Sequence, residues 1–411
     1  MAEWKEYTVA DVISTVIDYR GKTPKKLGGD WSDSGYRALS AKNIKTGKIV
    51  QVDSIRYVSE EMYKCWMKEE VQKEDILITS EAPFGQIYYW DSDEKIVLSQ
   101  RLFAVRVNQL FYPKYIYFYM TSSFFQAELD GRATGTTVVG LRQPELLKCK
   151  IYAPNYQEQK RIADTLWYLE QKINNNEAIN NNLEQQAQAL FKSWFVDFEP
   201  FGGVQPSEMQ FIPLQELCKV VTKGTTPTTL GKSFTSSGIN FIKAESILDN
   251  HSIDSSKFAF IDEETNALLK RSVIKANDIV FTIAGTLGRF AMVDNSVLPA
   301  NTNQAVAIIR PDESKVTPAY LYSFFIGNWH NEYYSKRIQQ AVQANLSLTT
   351  IKSLPIAVLN NKTMSDYDEL VSPLFALMKN NEEENRRLSK LRDTLLPKLM
   401  SGELDVSDID L

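Results

Sequence analysis

The stretch Ile173-Asn-Asn-Asn-Glu-Ala-Ile-Asn-Asn-Asn182 (INNNEAINNN) decides how the chain is organised. Six of its ten residues are asparagine. Each Asn costs roughly 0.6 kcal/mol against Ala in a helix interior, so the six cost about 3–4 kcal/mol together. Taken alone, the tract suggests a linker between domains. Its flanks indicate otherwise, because apolar residues recur at helical spacing on both sides.

The flanking apolar residues follow steps of 4, 3 and 4 on each side of the tract. They are Ile162, Leu166, Leu169, Ile173, Leu183, Ala187, Leu190 and Trp194. Continued through the tract, the heptad pattern reaches Asn176 and Asn180. This spacing predicts one long amphipathic helix from Gln157 to about Phe195, with the tract inside it.

A second segment, Met364 to about Met400, has the same plan. Its predicted seam is Leu370, Leu374, Leu377, Asn381, Glu384, Leu388, Leu391 and Leu395. Both seams become polar at the same heptad positions, and Asn176 corresponds to Asn381. The pattern predicts an antiparallel coiled coil in which Asn176 and Asn381 face each other and fix the register. A helix of about 36 residues is roughly 54 Å long, which predicts globular domains far apart on a rod.

The segments before the two helices repeat each other with offsets near 203 to 205 residues. The matches are Asp75–Thr79 with Asp278–Thr282, Gly21-x-Thr23-Pro24 with Gly224-x-Thr226-Pro227, Gly85 with Gly288, Gln100 with Gln304, Tyr115–Tyr117 with Tyr320–Tyr322, and Leu141-x4-Leu146-x4-Ile151 with Leu346-x4-Ile351-x4-Ile356. Six matches in one order indicate a tandem duplication. Short apolar runs bounded by turn residues predict strands over Asp75 to Thr79, Ile96 to Val107, Asp278 to Ile283 and Ala305 to Ile309. Short helices are expected over Tyr115 to Leu129 and Pro318 to Ile338.

The predicted fold class is therefore α+β. Two mixed, strand-rich globular domains are joined by two long antiparallel coiled-coil helices with pseudo-twofold internal symmetry. The expected divisions are a first globular domain over 1–153, a central helix over 154–200, a second globular domain over 201–359, and a C-terminal helix and tail over 360–411.

Composition predicts a folded cytoplasmic protein. The 411 residues are 43% hydrophobic and 24% charged, as in soluble globular proteins. No apolar run reaches the 18 residues of a membrane span, and the first residues do not resemble a signal peptide. Three cysteines without metal-type spacing predict reduced thiols, and two histidines are too few for a His-based metal site.

Motifs for catalysis are missing from the sequence. Gly224 to Ser233, GTTPTTLGKS, has six residues between its glycines, whereas a phosphate-binding loop needs four. The chain has no G-x-S-x-G, no H-E-x-x-H and no Asn/Asp-Pro-Pro-aromatic tetrapeptide of the amino-methyltransferase kind. We therefore expect a chain that is not an enzyme and binds no cofactor or metal.

Two equivalent segments are basic although the net charge of the chain is −5. The first, residues 20–48, carries Arg20, Lys22, Lys25, Lys26, Arg37, Lys42, Lys45 and Lys48. The second, residues 219–243, carries Lys219, Lys223, Lys232 and Lys243 and no acid. Lys and Arg can neutralise phosphates, and hydroxyl and amide side chains such as Thr23, Thr225 and Thr226 can read base edges. The alternative is a pair of solvated loops.

The whole plan resembles the DNA-specificity (S) subunit of type I restriction–modification systems. The most specific matches are Pro154-Asn-Tyr-Gln-Glu-Gln-Lys-Arg-Ile-Ala163, Ala189-Leu-Phe-Lys-Ser-Trp-Phe-Val-Asp-Phe198 and Leu395-Leu-Pro-Lys-Leu-Met-Ser-Gly402. The second half departs from the family pattern at Asn360–Ser365, where the first has Pro154–Gln159.

The resemblance implies two target-recognition domains on double-stranded DNA with a bipartite, asymmetric target. It also implies two DNA-methyltransferase subunits as partners and, in the larger complex, restriction/translocase subunits, but no membrane. S-adenosylmethionine would be bound by the partner methyltransferase. The rival hypotheses are a self-contained DNA-modifying enzyme, such as a fused methyltransferase or nuclease, and a coiled-coil scaffold that never binds DNA.

The family's polar signatures fall on equivalent positions of both halves. These are Lys42, Asn43, Ser80, Gly85, Ser99, Gln100 and Arg101 in the first, and Lys243, Glu245, Thr282, Gly288, Asn303 and Gln304 in the second. Some are expected to be scaffold, with the glycines in turns and Gln100 and Gln304 holding backbone. For the aromatic residues Phe191, Trp194, Phe195 and Phe198, two roles stay open: docking a partner and packing beneath a recognition domain.

Overall fold

A computed structural model describes residues 4–135, 139–338 and 345–404. The chain divides into two compact units. Unit 1 is Met1–Asn175 with Glu384–Leu411, and unit 2 is Asn176–Glu383. Each unit consists of one globular domain and half of each of two long helices. The fold is α+β, as the sequence predicts.

The globular domain of unit 1 contains eleven described strands and five short helices, and the first long helix follows it. The strands are β1 Lys5–Thr8, β2 Ile13–Asp18, β3 Tyr36–Leu39, β4 Ile44–Lys45, β5 Lys48–Ile49, β6 Arg56–Val58, β7 Ile76–Thr79, β8 Ile87–Tyr89, β9 Val97–Leu98, β10 Leu102–Val107 and β11 Lys150–Ala153. The helices are α1 Val9–Val12, α2 Glu60–Trp66, α3 Pro113–Thr121, α4 Ser123–Arg132, α5 Gln143–Leu147 and the long α6 Tyr156–Phe195.

The globular domain of unit 2 repeats this order. Its strands are β12 Gln210–Pro213, β13 Cys218–Lys223, β14 Ile239–Ile242, β15 Ala259–Ile261, β16 Ile279–Thr282, β17 Phe290–Met292, β18 Ala300–Thr302, β19 Val306–Pro311 and β20 Pro355–Val358. Its helices are α7 Glu263–Leu268, α8 Pro318–Ile326, α9 Trp329–Ile338 and α10 Leu348–Lys352, and the long α11 Asn361–Met400 follows.

Three sheets of unit 1 have counterparts in unit 2, whereas the two-stranded sheet β4-β5 has none among the described strands. The main antiparallel sheet has the order β2-β10-β7-β8 in unit 1 and β13-β19-β16-β17 in unit 2. A second sheet, β6-β3-β9 or β15-β14-β18, contains one parallel pair. The first and last strands pair as β1-β11 and β12-β20. This correspondence confirms the tandem duplication.

In both domains the central strands of the main sheet are buried on both faces of the sheet. All four residues of β7 and of β16 are buried, and so are Leu102 to Val105 of β10. Continuous apolar strands of this kind form where helices or a second sheet cover both faces. The predicted strands at Asp75–Thr79 and Asp278–Ile283 are thus confirmed, and each predicted short helix is a pair of helices broken by a turn.

A buried ion pair ties the main sheet together in each domain. In unit 1 the Arg106 guanidinium donates Nε and a terminal nitrogen to the Asp75 carboxylate, both at 2.9 Å. In unit 2 Arg310 holds Asp278 in the same fork, with both distances 2.7 Å. Each carboxylate also accepts a backbone N–H at 2.8 Å, from Gln72 or Lys275. The aspartates that begin the repeated D-I-x-x-T motif are therefore structural.

The asparagine tract is helical from end to end, so it is not a linker. In each unit the two long helices pack antiparallel. In unit 2, the Asn180 side chain donates to the Met378 carbonyl at 3.1 Å and accepts from Asn381 Nδ2 at 2.8 Å. In unit 1, Asn385 Nδ2 donates to the Ile173 carbonyl at 3.3 Å. Asn180 and Asn385 are equivalent in the duplication, so each unit uses the same amide-to-carbonyl bond.

The helix seams differ from the heptad prediction in two respects. The partner that Asn381 finds is Asn180, one helical turn beyond the Asn176 placed opposite it from sequence, although both Asn176 and Asn381 are buried. In α11 the predicted seam residues Leu370, Leu377 and Leu391 are exposed. The helix buries a neighbouring stripe instead: Tyr367, Val371, Phe375 and Met378. The aromatic rings of this stripe are larger than leucine side chains and pack against the globular domain. The Tyr367 ring contacts Tyr320, and the Phe375 ring contacts Tyr322.

None of the helices described combines the length and the apolar character needed to cross a membrane. The three cysteines are free thiols, in agreement with the expectation from their spacing. Burial raises the pKa of both Cys149 and Cys218 to about 12, so these thiols stay protonated at neutral pH.

We expect Asp278→Ala to lower the free energy of unfolding by about 3–5 kcal/mol, because it leaves the Arg310 charge without its buried partner. Urea denaturation followed by circular dichroism measures this. The control is Asp249→Ala, which removes the carboxylate of the exposed Asp249–Arg289 pair and should cost at most about 1 kcal/mol. Equal losses in the two variants would contradict a structural role for the buried pair.

Candidate nucleic-acid interface

A cleft of about 710 Å³ opens on the globular domain of unit 1. Its walls come from the turn after β2, the turn after β7, and the segment before α5. Four cationic side chains line it, and two carboxylates accompany them. The cations are Arg20, Lys22, Arg101 and Arg142, and the acids are Asp18 and Glu81.

A smaller cleft of about 240 Å³ lies beside it. Its polar and cationic lining residues include Lys42, Arg56, Ser99, Gln100 and Arg101, and Trp31 adds an aromatic wall. The Arg56 guanidinium carbon is 5.0 Å from the centre of the Trp31 ring. The lining, which lies wholly within the described residues, contains no carboxylate. Arg101 belongs to both clefts, and we call them together the paired cleft.

The backbone around the paired cleft is set by the parallel pairing of β3 with β9. Ser99 N–H donates to the Leu39 carbonyl at 2.7 Å, and Ala41 N–H donates to the Gln100 carbonyl at 3.1 Å. These bonds hold Gln100 and Arg101 at an exposed turn. Arg101 has a left-handed backbone, φ 62°, and its Nε lies 2.9 Å from the Glu81 carboxylate.

Asn43, predicted to bind DNA, is buried inside this turn. Its Oδ1 accepts from the Ser40 backbone and hydroxyl at 3.1 and 2.9 Å. Its Nδ2 faces the Val50 and Gln51 carbonyls at 3.4 and 3.3 Å. The amide is thereby used to close the turn that presents Lys42. In unit 2, Ser246 takes the same place and accepts from the Lys243 backbone N–H at 3.4 Å.

The basic residues of the first segment divide into anchored and exposed groups. Arg20 forks onto the Asp18 carboxylate and donates to the Leu141 carbonyl at 3.0 Å. Lys22 and Lys26 donate to the Trp66 and Gly21 carbonyls at 3.1 and 2.8 Å. The remaining candidates differ in exposure: Lys25 and Lys42 are exposed, Thr23 is half-buried, and Ser80 is buried at the wall of the larger cleft.

In unit 2 two hydrogen bonds join the loop after β13 to the loop between β18 and β19. The Thr226 hydroxyl donates to the Gln304 side chain, and Asn303 O accepts from Gly224 N–H at 3.1 Å. Thr225 is half-buried and Lys223 is exposed. Thr282 is fully buried, and its hydroxyl accepts from Arg289 N–H at 2.9 Å.

Lys243 and Glu245, both predicted to bind DNA, form an ion pair with each other. Their side chains are 2.7 Å apart. The hydrogen bond from the Lys243 ammonium lowers the pKa of the Glu245 carboxyl, so Glu245 is ionised at neutral pH. Glu245 occupies the position in unit 2 that Lys42 occupies in unit 1. At this one position the two equivalent turns therefore carry opposite charges.

Sequence reasoning missed three residues of the paired cleft. Trp31 and Arg56 reach the smaller cleft from the loop before β3 and from β6, and Arg142 enters the larger cleft from far along the chain. Arg37, which lies in the basic segment, is instead paired with Glu94. The sequence shows that the segment has an excess of positive charge. It does not show which of the charged side chains lie on one surface of the folded domain.

The aromatic residues after the asparagine tract pack inside unit 2. Phe191 and Phe195 are buried, and the Phe195 ring lies 5.1 Å from Tyr320 and 5.0 Å from Tyr367. Trp194 is partly buried, with its ring 5.6 Å from Tyr367. Of the two roles left open by the sequence, the structure shows packing for Phe191 and Phe195.

The described residues contain no group of three or more His, Cys, Asp or Glu side chains arranged to hold a metal ion. His330 is enclosed by aromatic rings, and burial lowers its pKa to about 3. His251 stacks on Phe290 at 4.1 Å. His330 is therefore buried in unit 2, whereas His251 is half-buried.

Comparison with known proteins gives one consistent result. The family model described as "Type I restriction modification DNA specificity domain" matches residues 1–185 and again 206–368. The chain is 26% identical to the type I restriction enzyme MjaIX specificity subunit of Methanocaldococcus jannaschii, over 82% of this chain and 79% of that protein. It is 23% identical to the HindI specificity subunit of Haemophilus influenzae, over 98% and 100%.

A solved structure shows the same fold. The crystal structure of a type I restriction-modification system S subunit from M. genitalium superposes with a TM-score of 0.60. Its sequence is 16% identical, and the match covers 97% of this chain and 96% of that one.

The glycines that precede the two equivalent loops generate a matched prediction. A Cβ on Gly224 would lie 1.8 Å from the Thr302 carbonyl oxygen, whereas a Cβ on Gly21 would meet nothing within 4 Å. We expect Gly224→Ala to destabilise unit 2 by about 1–3 kcal/mol, the usual cost of overpacking. Gly21→Ala should change the free energy of unfolding by less than about 0.5 kcal/mol. Thermal or urea unfolding of both variants checks this, and a tolerated Gly224→Ala would show that the loop is not packed as described.

Proposed function

The chain belongs to the type I restriction–modification DNA specificity family, and on this basis we propose that its two domains read two different half-sites of one DNA target. The chain is the DNA-recognition subunit of such a system and not its enzyme. What we add concerns which residues bind DNA, how the target is divided, and where partner subunits dock.

The paired cleft of unit 1 is the single observation that carries the proposal. Its exposed cations, Lys42 and Arg56 among them, lie beside Gln100 and Trp31 on one surface. Lys and Arg bind phosphate, while Arg and Gln can make two hydrogen bonds to guanine or adenine edges in the major groove. We assign phosphate contact to Lys42 and base reading to Arg56 and Gln100.

The second domain should read a different sequence. Where unit 1 has the exposed Lys42, unit 2 has Glu245 paired with Lys243. A carboxylate at a base edge accepts from the cytosine amino group, which a lysine cannot do. Lys223, Thr225 and Thr226 are the remaining candidates there. An asymmetric bipartite target follows, with a spacer set by the length of α6 and α11.

Partner subunits are proposed to dock on the exposed leucines of α11. Leu370 and Leu377 in unit 2 are 47% and 44% exposed, and Leu391 in unit 1 is 47% exposed. Leu370 and Leu377 are seven residues apart and so lie on one face of α11 in unit 2. They form an apolar stripe of the kind that a partner helix covers. We propose two DNA-methyltransferase subunits as the partners, with S-adenosylmethionine bound by them, and restriction/translocase subunits joining the larger complex.

The DNA proposal predicts distinct behaviour for two kinds of residue. Methylation mapping in a host that carries the chain and its methyltransferase would first give the target. Lys42→Ala should then weaken binding to target and non-target duplexes alike and reduce the slope of log K against log salt by about 0.9. Gln100→Ala should cost about 1–3 kcal/mol on the target only, at one base pair. Fluorescence anisotropy at several salt concentrations measures both.

The control for these variants is Lys64→Ala, because Lys64 is 71% exposed in the same domain but lies outside the paired cleft. It should leave both affinity and salt slope unchanged. A Lys42→Ala protein with the salt slope of the wild type would contradict the phosphate contact.

The docking proposal predicts that Leu370→Glu/Leu377→Glu abolishes co-purification with the methyltransferase, because two charges would face the apolar partner surface. Leu268→Glu is the control, since Leu268 is 56% exposed on α7, away from the long helices. Size-exclusion chromatography with light scattering reads the assembly. An intact complex in the double variant would show that the methyltransferase docks on a different surface.

A further inference from the structure

A cavity of about 380 Å³ opens in unit 2, between the end of β17, the start of α8 and the first half of α11. Its apolar floor includes Met292, Ala319, Tyr322 and Phe375. Ser372 of α11 also lines it. The volume lies in the range of pockets that bind ligands, about 300–1,000 Å³. Neither DNA recognition nor the leucine stripe uses this cavity.

The duplicated domain of unit 1 shows what belongs in such a space. The duplication pairs Ser372 with Trp167, Met292 with Tyr89, and Ala319 with Lys114, since each pair holds the same place in its strand or helix. The Trp167 ring packs on Tyr89 with centroids 5.1 Å apart, and Lys114 Nζ lies 4.5 Å from the centre of the Trp167 ring. An indole capped by a cation therefore occupies this place in unit 1.

Each of the three changes in unit 2 removes bulk or charge from the same spot. The indole becomes a serine, the tyrosine a methionine, and the lysine an alanine. All three residues line the cavity, so the cavity opens at the positions that the indole, the tyrosine and the lysine hold in unit 1.

The rim of the cavity is acidic. Four carboxylates line it, against the single cation Lys379. They are Asp294, Glu313, Asp368 and Glu382. Asp368 stands where unit 1 has Ala163, and its carboxylate accepts from the Thr317 hydroxyl at the start of α8. A cation entering this cavity would meet an apolar floor and a negative rim.

We propose that the cavity binds an aromatic side chain that lies next to a lysine or arginine on a partner protein. The partner supplies in trans what Trp167 and Lys114 supply within unit 1. The ring fills the apolar floor beside Tyr322 and Phe375, and the neighbouring cation faces the four carboxylates. Because Trp167 and Lys114 occupy the equivalent place in unit 1, the site recognises its partner in one half of a duplicated molecule.

Tryptamine tests the proposal directly, because it joins an indole to an ammonium group. Isothermal titration and saturation-transfer NMR with the full chain should show saturable binding at one site. Indole-3-acetate has the same ring and the opposite charge, and it should bind at least about tenfold more weakly at low salt. Ser372→Trp restores the indole of unit 1 within the chain and should weaken tryptamine binding at least about tenfold.

Two further variants keep the outcome decisive. Ser372→Ala leaves the cavity open and should bind tryptamine within about twofold of the wild type. Ala319→Lys supplies the cation at the position of Lys114 and should weaken tryptamine several-fold even if Ser372→Trp fails to fold. The proposal is overturned if the wild type does not bind tryptamine, if indole-3-acetate binds equally well, or if the folded Ser372→Trp protein binds as the wild type does.

Discussion

The structure depends on the burial of one face of each long helix beneath a globular domain. Six asparagines within ten residues cost α6 about 3–4 kcal/mol of helix stability, and helices draw most of their stability from tertiary packing. Ile162 and Leu166 in unit 1, and Leu183 and Phe191 in unit 2, are buried in domain cores. Each such side chain contributes about 1.5–3 kcal/mol. The packing at both ends of α6 thus offsets a polar centre that an isolated helix could not tolerate.

The asparagines at that centre then select among the ways in which two apolar helices could pair. Asn180 satisfies the Met378 carbonyl, and the equivalent Asn385 satisfies Ile173. A leucine in either place would pack as well in several registers, whereas a half-buried amide forms these hydrogen bonds in only one. The sequence pattern predicted the polar centre, and its role in fixing the register stays a prediction. It misplaced the partner of Asn381 by one turn, because a heptad pattern does not specify how far two helices are offset along their axes.

Other differences between prediction and structure have equally physical reasons. The leucines Leu370 and Leu377 carry the clearest heptad signal in α11, yet they are exposed, because the domain above the helix presents tyrosines that pack better against Tyr367 and Phe375. The duplication, the strands Ile76–Thr79 and Ile279–Thr282 and both long helices were predictable, since they rest on repeats and periodicity. The paired cleft was only partly predictable from the sequence. Asn43 has the residue type of a base reader but closes a turn, and Trp31, Arg56 and Arg142 meet there only through tertiary folding.

The division of the chain into units has a consequence for synthesis on the ribosome. Unit 2 is one continuous segment, Asn176–Glu383, whereas unit 1 needs Glu384–Leu411 to join residues made much earlier. The core of unit 1 includes Leu399 and Met400, which pack with Ile162 and Leu166. Domains usually fold in the order in which they are translated. Here the order is inverted: the domain that is translated second can complete its core first, and the domain that is translated first exposes apolar surface until its last helix emerges.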